Sequence, residues 1–393
     1  MLKLGTSVRA GSVDGGSRLG CGHPLRQAAR VSLLTLEFHQ GGVFLPRLGL
    51  WLDPHRAKPG HVFVSHAHSD HTARHPEAIL TEPTAWLMRH RLGGKRVEHI
   101  LGYGETREFS SGTGVSPVRS CSEPTLFGAP GPHGQDARAT SPFRLTLLPA
   151  GHILGSAMAF IEAGGESLLY TGDFKLRPGL AADVCEPRHA DHLVMETTFG
   201  RPKYIFPPDA DVWRDVVMFC RNALAEGITP VLFAYALGKS QELLAGLRDA
   251  GLPIALHKEA AKLTRIYEHF GHTFPPFEIF DGTNAGGKVL IAPSQSSRSV
   301  LFQQLGKTRT AVVTGWAMDS SCRFRSGTDA AFPLSDHADY PGLIEFVKRV
   351  APKKVFTLHG FAADFARTLR EHGFDAQSLS EEEQLDLPLG NLR

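Results

Sequence analysis

The sequence predicts an α/β protein in which a helix-flanked parallel sheet is inserted into a first, strand-rich domain. Three observations predict it. Short apolar runs recur, and each ends in a residue suited to metal binding or acid–base work. Between residues 205 and 315, strand and helix patterns alternate, the signature of a parallel sheet with crossover helices. The composition, 42% hydrophobic and 21% charged over 393 residues, is that of a folded chain long enough for two or three domains.

The first domain is read from its strand ends. Val62-Phe63-Val64 leads into Ser65-His66-Ala67-His68-Ser69-Asp70-His71. Arg144–Leu148 leads into Pro149-Ala150-Gly151-His152, and Ser167–Tyr170 into Thr171-Gly172-Asp173. His192–Met195 is followed by Glu196-Thr197-Thr198, and Lys354–Thr357 by Leu358-His359-Gly360. Strand ends converging on one sheet edge are where catalytic groups accumulate.

In the middle, Asp211–Glu226 carries a helical stripe of Val212, Val216, Phe219, Cys220, Ala223 and Leu224 and stops at Gly227. Pro230–Ala234, Pro253–Leu256, Lys288–Ala292 and Arg309–Thr314 are expected strands. Ser240–Ala250, Lys258–Phe270 and Arg298–Leu305 are expected helices. The boundaries that follow are 34–204 for the first domain, 205–315 for the inserted one and 316–393 for the return. Leu343, Phe346 and Val347 mark a helix core face in that last part. Residues 1–33, rich in Gly, Ser and Arg, are expected as a disordered tail or a start codon set too far upstream. Ser111–Pro142 has no apolar period and is expected as a disordered insertion, with Cys121 and His133 outside any site.

Several classes are excluded. A net charge of +2 does not fit a histone-like nucleic-acid binder but leaves room for a local basic groove. No apolar run approaches the ~18 residues of a membrane span. Cys21, Cys121, Cys185, Cys220 and Cys322 are scattered and odd in number, which argues for reduced thiols in a cytoplasmic protein.

His-x-His-x-Asp-His at 66–71 is the strongest local signal. In an extended segment residues two apart point the same way, so His66 and His68 can grip one metal while Asp70 and His71 turn toward a second. Imidazole with carboxylate suits Zn²⁺, or Mn²⁺ where carboxylates dominate. Two ions need a bridging carboxylate, and Asp173 can serve.

At these residues the chain resembles the metallo-β-lactamase superfamily, whose ligand motifs match His66, His68, Asp70, His71, His152 and Asp173, with Asp53 as the aspartate that orients the ligand loop. Glu196, His337 in Ser335-Asp336-His337-Ala338-Asp339, and His359 match the three extra motifs of the β-CASP branch. Phe233–Glu242 resembles the A-L-G-x-x-Q-E stretch of that branch's inserted cassette. The phrasing is similar to bacterial DNA-ligase-associated exonucleases and to factors that process messenger 3′ ends. The resemblance covers residues 36–393 apart from 111–142. Ser294–Arg298 departs from it, where relatives often carry glycine.

The resemblance implies an αββα sandwich with an inserted β-CASP domain, and a two-zinc phosphodiester hydrolase acting on nucleic acid. His66, His68 and His152 would hold one ion. Asp70, His71 and His359 would hold the other, with Asp173 between them and Asp53 behind. Asp70 also counts as catalytic, together with His337 as general acid and Glu196 as its partner. Lys239, opening a helix after Gly238, is a candidate phosphate seat, as is Arg298. Arg323 and Arg325 could line a groove, and Tyr235 could stack on a base, although a core position is the preferred expectation for it. A DNA exonuclease of repair or ligation is preferred over an RNA endo- or exonuclease, with a ligase or helicase as partner by resemblance. A non-catalytic nucleic-acid-binding subunit and a small-molecule hydrolase are the readings from other classes.

Overall fold

The computed structural model describes residues 32–39, 41–110, 141–294 and 300–379. Arg298, most of the 111–142 insertion and nearly all of the N-terminal segment lie outside the described residues. No helix among the described residues is long and apolar enough to cross a membrane.

Two mixed sheets face each other. The first runs, in spatial order, β1 (Glu37–His39), β2 (Gly42–Leu45), β3 (Leu50–Leu52), β4 (His61–Phe63), β5 (Glu77–Leu80) and β6 (Val97–Ile100). It is antiparallel up to β3 and parallel from there on. The second contains β7 (Thr106–Phe109), β8 (Phe143–Pro149), β9 (Ala157–Ala163), β10 (Glu166–Tyr170) and β11 (His192–Glu196).

The strands of the third sheet are β12 (Thr229–Phe233), β13 (Ile254–Leu256), β14 (Glu278–Ile279), β15 (Val289–Ala292), β16 (Thr308–Val313) and β17 (Ala330–Phe332). This sheet is wholly parallel, in the order β14-β13-β15-β12-β16-β17. It reaches Phe332, past residue 315, because β17 pairs with β16 before the chain leaves. Then β18 (Lys354–Leu358) and β19 (Ala376–Ser378) return to complete the second sheet beside β11.

Alternation along the strands sets the layers. Leu52, Phe63 and Ile79 of the first sheet meet Leu145, Leu147, Ile161 and Leu168 of the second in one buried core. The next residue, Leu169, points the other way with Leu193 and Val355. These pack on Phe346 and Val347 of the helix Tyr340–Val350 and on Phe365 of the helix Ala362–Glu371. The outer face of the first sheet is covered by α1 (Glu82–Leu92) through Leu87 and Met88. Thr81 caps α1, its Oγ1 accepting Thr84 N at 3.3 Å. The result is the expected helix–sheet–sheet–helix sandwich.

Around the third sheet lie α2 (Asp209–Ala225), α3 (Lys239–Gly246) and α4 (Lys258–His269). Leu263 and Tyr267 of α4 join the core under α1, which docks this region onto the sandwich. Gln241 donates from Nε2 to Thr264 Oγ1 at 2.9 Å, tying α3 to α4. Glu242 accepts Leu180 N and Ala181 N at 3.0 Å each. In the cassette stretch, Gln241 therefore braces α3 on α4 while Glu242 holds the two parts together.

At the opposite edge from the strand ends, Asp191 staples three strands. It accepts Ser167 N at 2.9 Å and pairs with Lys353 at 2.8 Å. Lys353 and the Ser167 hydrogen bonds hold its carboxyl down at about 2. A depressed carboxyl stabilises the fold above its unfolded pKa and loses that contribution as pH falls through about 2. Asp191→Asn is expected to cost roughly 1 kcal/mol at neutral pH, after solvent screening, and progressively less as pH falls to about 2. Denaturant unfolding at the two pH values checks it.

Candidate metal centre

The site grows from strand ends at one edge of the sandwich. Asp53 follows β3, residues 65–71 follow β4, His152 follows β8 and Asp173 follows β10. Glu196 ends β11 and His359 follows β18. Gly172, at φ 53°, sits where an added Cβ would fall 2.5 Å from Ser65, so only glycine lets Asp173 approach the histidine loop.

Asp53 is buried and anchors that loop. Its Oδ1 accepts Ser65 N at 2.7 Å. Its Oδ2 accepts Tyr170 OH at 3.0 Å and faces His71 Nδ1 at 3.0 Å. A carboxylate only accepts, so His71 carries its hydrogen on Nδ1 and turns a bare Nε2 inward.

The same hydrogen-bond logic assigns the other tautomers. His68 Nε2 donates to Leu237 O at 3.2 Å, and His152 Nδ1 donates to Asp336 O at 2.8 Å. His66 Nδ1 lies 3.0 Å from Ser65 Oγ, whose own hydrogen goes to Asp53. Every inner nitrogen therefore presents a lone pair. Yet His66 Nε2 stands 3.1 Å from His68 Nδ1, and His152 Nε2 stands 3.0 Å from that same atom. Asp173 Oδ2 faces His71, His66 and His152 Nε2 at 3.4, 3.5 and 3.7 Å.

Electrostatics agree with this geometry at three of the four rings. At His71 burial pulls the imidazole down, but Asp173 and Asp53 outweigh it and hold it well above its ordinary value. Its Nε2 therefore offers a lone pair only once a cation displaces the second proton. Burial and the neighbouring imidazoles hold His66 well below its ordinary value, burial lowers His68, and burial with His337 holds His152 at about 4. All three are neutral. Burial opposes ionisation of Asp173, but His71 and His337 outweigh it and keep the carboxyl well below the usual range. Converging lone pairs and a carboxylate, with donor atoms all within 4.8 Å of one another, repel unless a cation sits among them. Three nitrogens and one oxygen are a zinc donor set, so the residues fit the ion the sequence predicts.

The second expected set is more open. Asp70 Oδ2 is 3.9 Å from His71 Nε2, with its side chain 69% exposed. His359 meets His71 ring to ring at 5.8 Å and stacks on His55 at 6.2 Å. It is held in a left-handed turn at φ 57°, with its carbonyl accepting Thr197 Oγ1 at 2.6 Å.

His337 stands beside these groups. Its Nδ1 lies 3.0 Å from the fully buried Glu196 Oε1, and its Nε2 lies 4.0 Å from Asp173 Oδ2. Thr198 N donates to the other Glu196 oxygen at 2.8 Å. Burial pulls the His337 imidazole down, but Glu196 and Asp173 outweigh it and push it up to about 10.

A cleft of about 710 Å³ opens over the cluster. Asp70, His71, Asp173, His337 and His359 line it from the sandwich, and Tyr235, Leu237 and Pro293 from the third-sheet region. Two expectations are corrected here. Tyr235 is not a core residue but 62% exposed on the cleft wall. Lys239 is not an open phosphate seat: it is 1% exposed, with Nζ 3.3 Å from Asp336 Oδ1 behind His152. Arg323 and Arg325 are exposed and do not line the cleft.

Sequence reasoning missed His55, Arg91, Trp316 and Asp336, which the structure adds to the cleft. Arg91, in the last turn of α1, reads as an ordinary helix-end cation. Asp336 acts on His152 through its main-chain oxygen, which no side-chain pattern reveals.

Residues 42–219 match the metallo-beta-lactamase superfamily, and residues 330–378 match the Zn-dependent metallo-hydrolase RNA specificity domain. The chain belongs to the metallo-β-lactamase superfamily of metallo-hydrolases. Within it, the chain's homologues are β-CASP nucleases. A protein of Opitutus terrae named Probable DNA ligase is 48% identical over 347 residues, covering 88% of this chain and 31% of that one. Endoribonuclease YSH1 of Candida albicans is 28% identical over 384 residues, covering 76% of this chain and 43% of that one. The chain therefore spans less than half the length of either relative. A crystal structure of a protein of unknown function from Enterococcus faecalis shares the fold, with a TM-score of 0.51, 14% identity and coverage of 82% and 79%.

Proposed function

We propose that this chain is a zinc-dependent nuclease that removes nucleotides from DNA ends, in the service of repair or ligation. The observation that carries it is the set of converging lone pairs on His66, His68 and His152 with Asp173, which meets a cleft between two parts of the chain through His68 and Asp173. The relative named Probable DNA ligase supports DNA, and a ligase as partner. The RNA specificity domain matched at 330–378 favours the second reading, an RNA endo- or exonuclease.

His66, His68, His152 and Asp173 would hold one ion. Asp70, His71 and His359 would hold a second, with Asp173 beside both sets. Zinc there supplies Lewis-acid neutralisation of the phosphodiester and lowers the pKa of the attacking water. Asp53 keeps His71 in the tautomer that leaves Nε2 free. Leu237 O and Asp336 O do the same for His68 and His152. Glu196 holds His337 Nδ1 and turns its Nε2 toward the cleft, where it protonates the departing oxygen.

The test is a cleavage assay with matched single- and double-stranded DNA and RNA, labelled at either end, with Zn²⁺ or Mn²⁺. Shortening of DNA from one end is the expected result and gives the polarity. Preferential cleavage of RNA would replace the DNA reading with the second one.

A further inference from the structure

We infer that Tyr235 is a stacking platform for one unpaired base beside the scissile phosphate, so that the cleft takes its substrate as a single strand. This rests on the nuclease reading above. Tyr235 follows β12 in the turn that leads to α3. Its carbonyl accepts Ser240 N at 3.0 Å and Ser240 Oγ at 2.8 Å, so the backbone beneath the ring is pinned. Tyr235 is 62% exposed, whereas Tyr170, Tyr204 and Tyr267 are each at most 2% exposed. It sits on the cleft wall with Asp70 and His337. Its centroid lies 6.5 Å from that of His68, tilted by 47°.

What marks this aromatic out is its place on the cleft wall, with its face open to the space over the cluster. Placed one ring away from a metal-type histidine, it lies where the base of a nucleotide falls when its phosphate is at the metal centre. Every base offers a π-face, so such a platform tolerates any sequence, and stacking changes affinity roughly 5- to 150-fold per base. A base paired in the interior of a duplex is covered on both faces by its neighbours, and its partner strand keeps it from the ring. The substrate therefore enters as a single strand, an overhang or a frayed end.

The experiment compares the wild type, Tyr235→Ala and Tyr235→Phe on single-stranded oligonucleotides. An abasic residue is walked through the terminal positions, and KM and kcat are measured beside anisotropy binding and zinc content. The alanine variant is expected to raise KM and Kd roughly ten-fold or more, with zinc retained. The phenylalanine variant restores binding. One abasic position reproduces the loss in the wild type and adds nothing further in Tyr235→Ala. A Tyr235→Ala enzyme with wild-type KM, or abasic and alanine losses that add in full, would overturn the platform while leaving the nuclease intact. A wild type that neither binds nor cleaves any oligonucleotide overturns the nuclease reading, and the platform with it.

Discussion

Asp173→Asn is expected to abolish tight zinc binding and to lower nucleic-acid cleavage by on the order of 10³-fold or more. The reason is the position of one oxygen. Asp173 Oδ2 faces the Nε2 atoms of His71, His66 and His152 at 3.4–3.7 Å, on a side chain only 9% exposed. It is the negative charge nearest to three converging lone pairs. Asparagine keeps the shape and removes the charge, so the nitrogens remain grouped with no anion to balance an ion. Metal analysis after dialysis, beside a thermal melt, separates loss of the ion from loss of the fold. Full zinc content in Asp173→Asn would show that this carboxylate is not a ligand.

His337→Ala is expected to behave differently. It should keep its zinc and lose roughly 10²- to 10⁴-fold in turnover, the usual contribution of a positioned general acid. The imidazole is fixed by Glu196 at 3.0 Å and stands beside the cluster, with its Nε2 4.0 Å from Asp173 Oδ2. The proposed role as acid predicts a dependence on the leaving group. A nitrophenyl phosphodiester departs without a proton, so the deficit of His337→Ala should shrink sharply on it. An equal deficit on both substrates would make His337 a positioning group instead.

The contrast between these two residues shows how far the sequence reached. His66–His71, His152, Asp173, Glu196 and His359 were legible because each stands at or just after a short apolar run. A strand's direction is a local property, and strands of one sheet bring their ends to a common edge. The helical stripe of Asp211–Glu226 was legible for a similar reason, and the observed α2 lies within two residues of it.

What escaped depends on contacts between distant segments. Lys239 opens a helix as expected, but docking of α3 through Glu242 onto residues 180 and 181 turns its ammonium inward to Asp336. Tyr235 has the neighbours of a core residue in sequence, and only the cleft leaves its ring uncovered. The three-residue strand β17 has no period to read, so the third sheet runs further than the helix and strand alternation indicated.

The most direct test of the account is a zinc titration of chelator-stripped protein, with bound metal and cleavage of single-stranded DNA followed in the same samples. Stripped protein is expected to be inactive, and cleavage is expected to rise in step with bound zinc until the centre is full. Undiminished cleavage after the metal is removed, or full zinc occupancy with no cleavage of any nucleic acid, would contradict it.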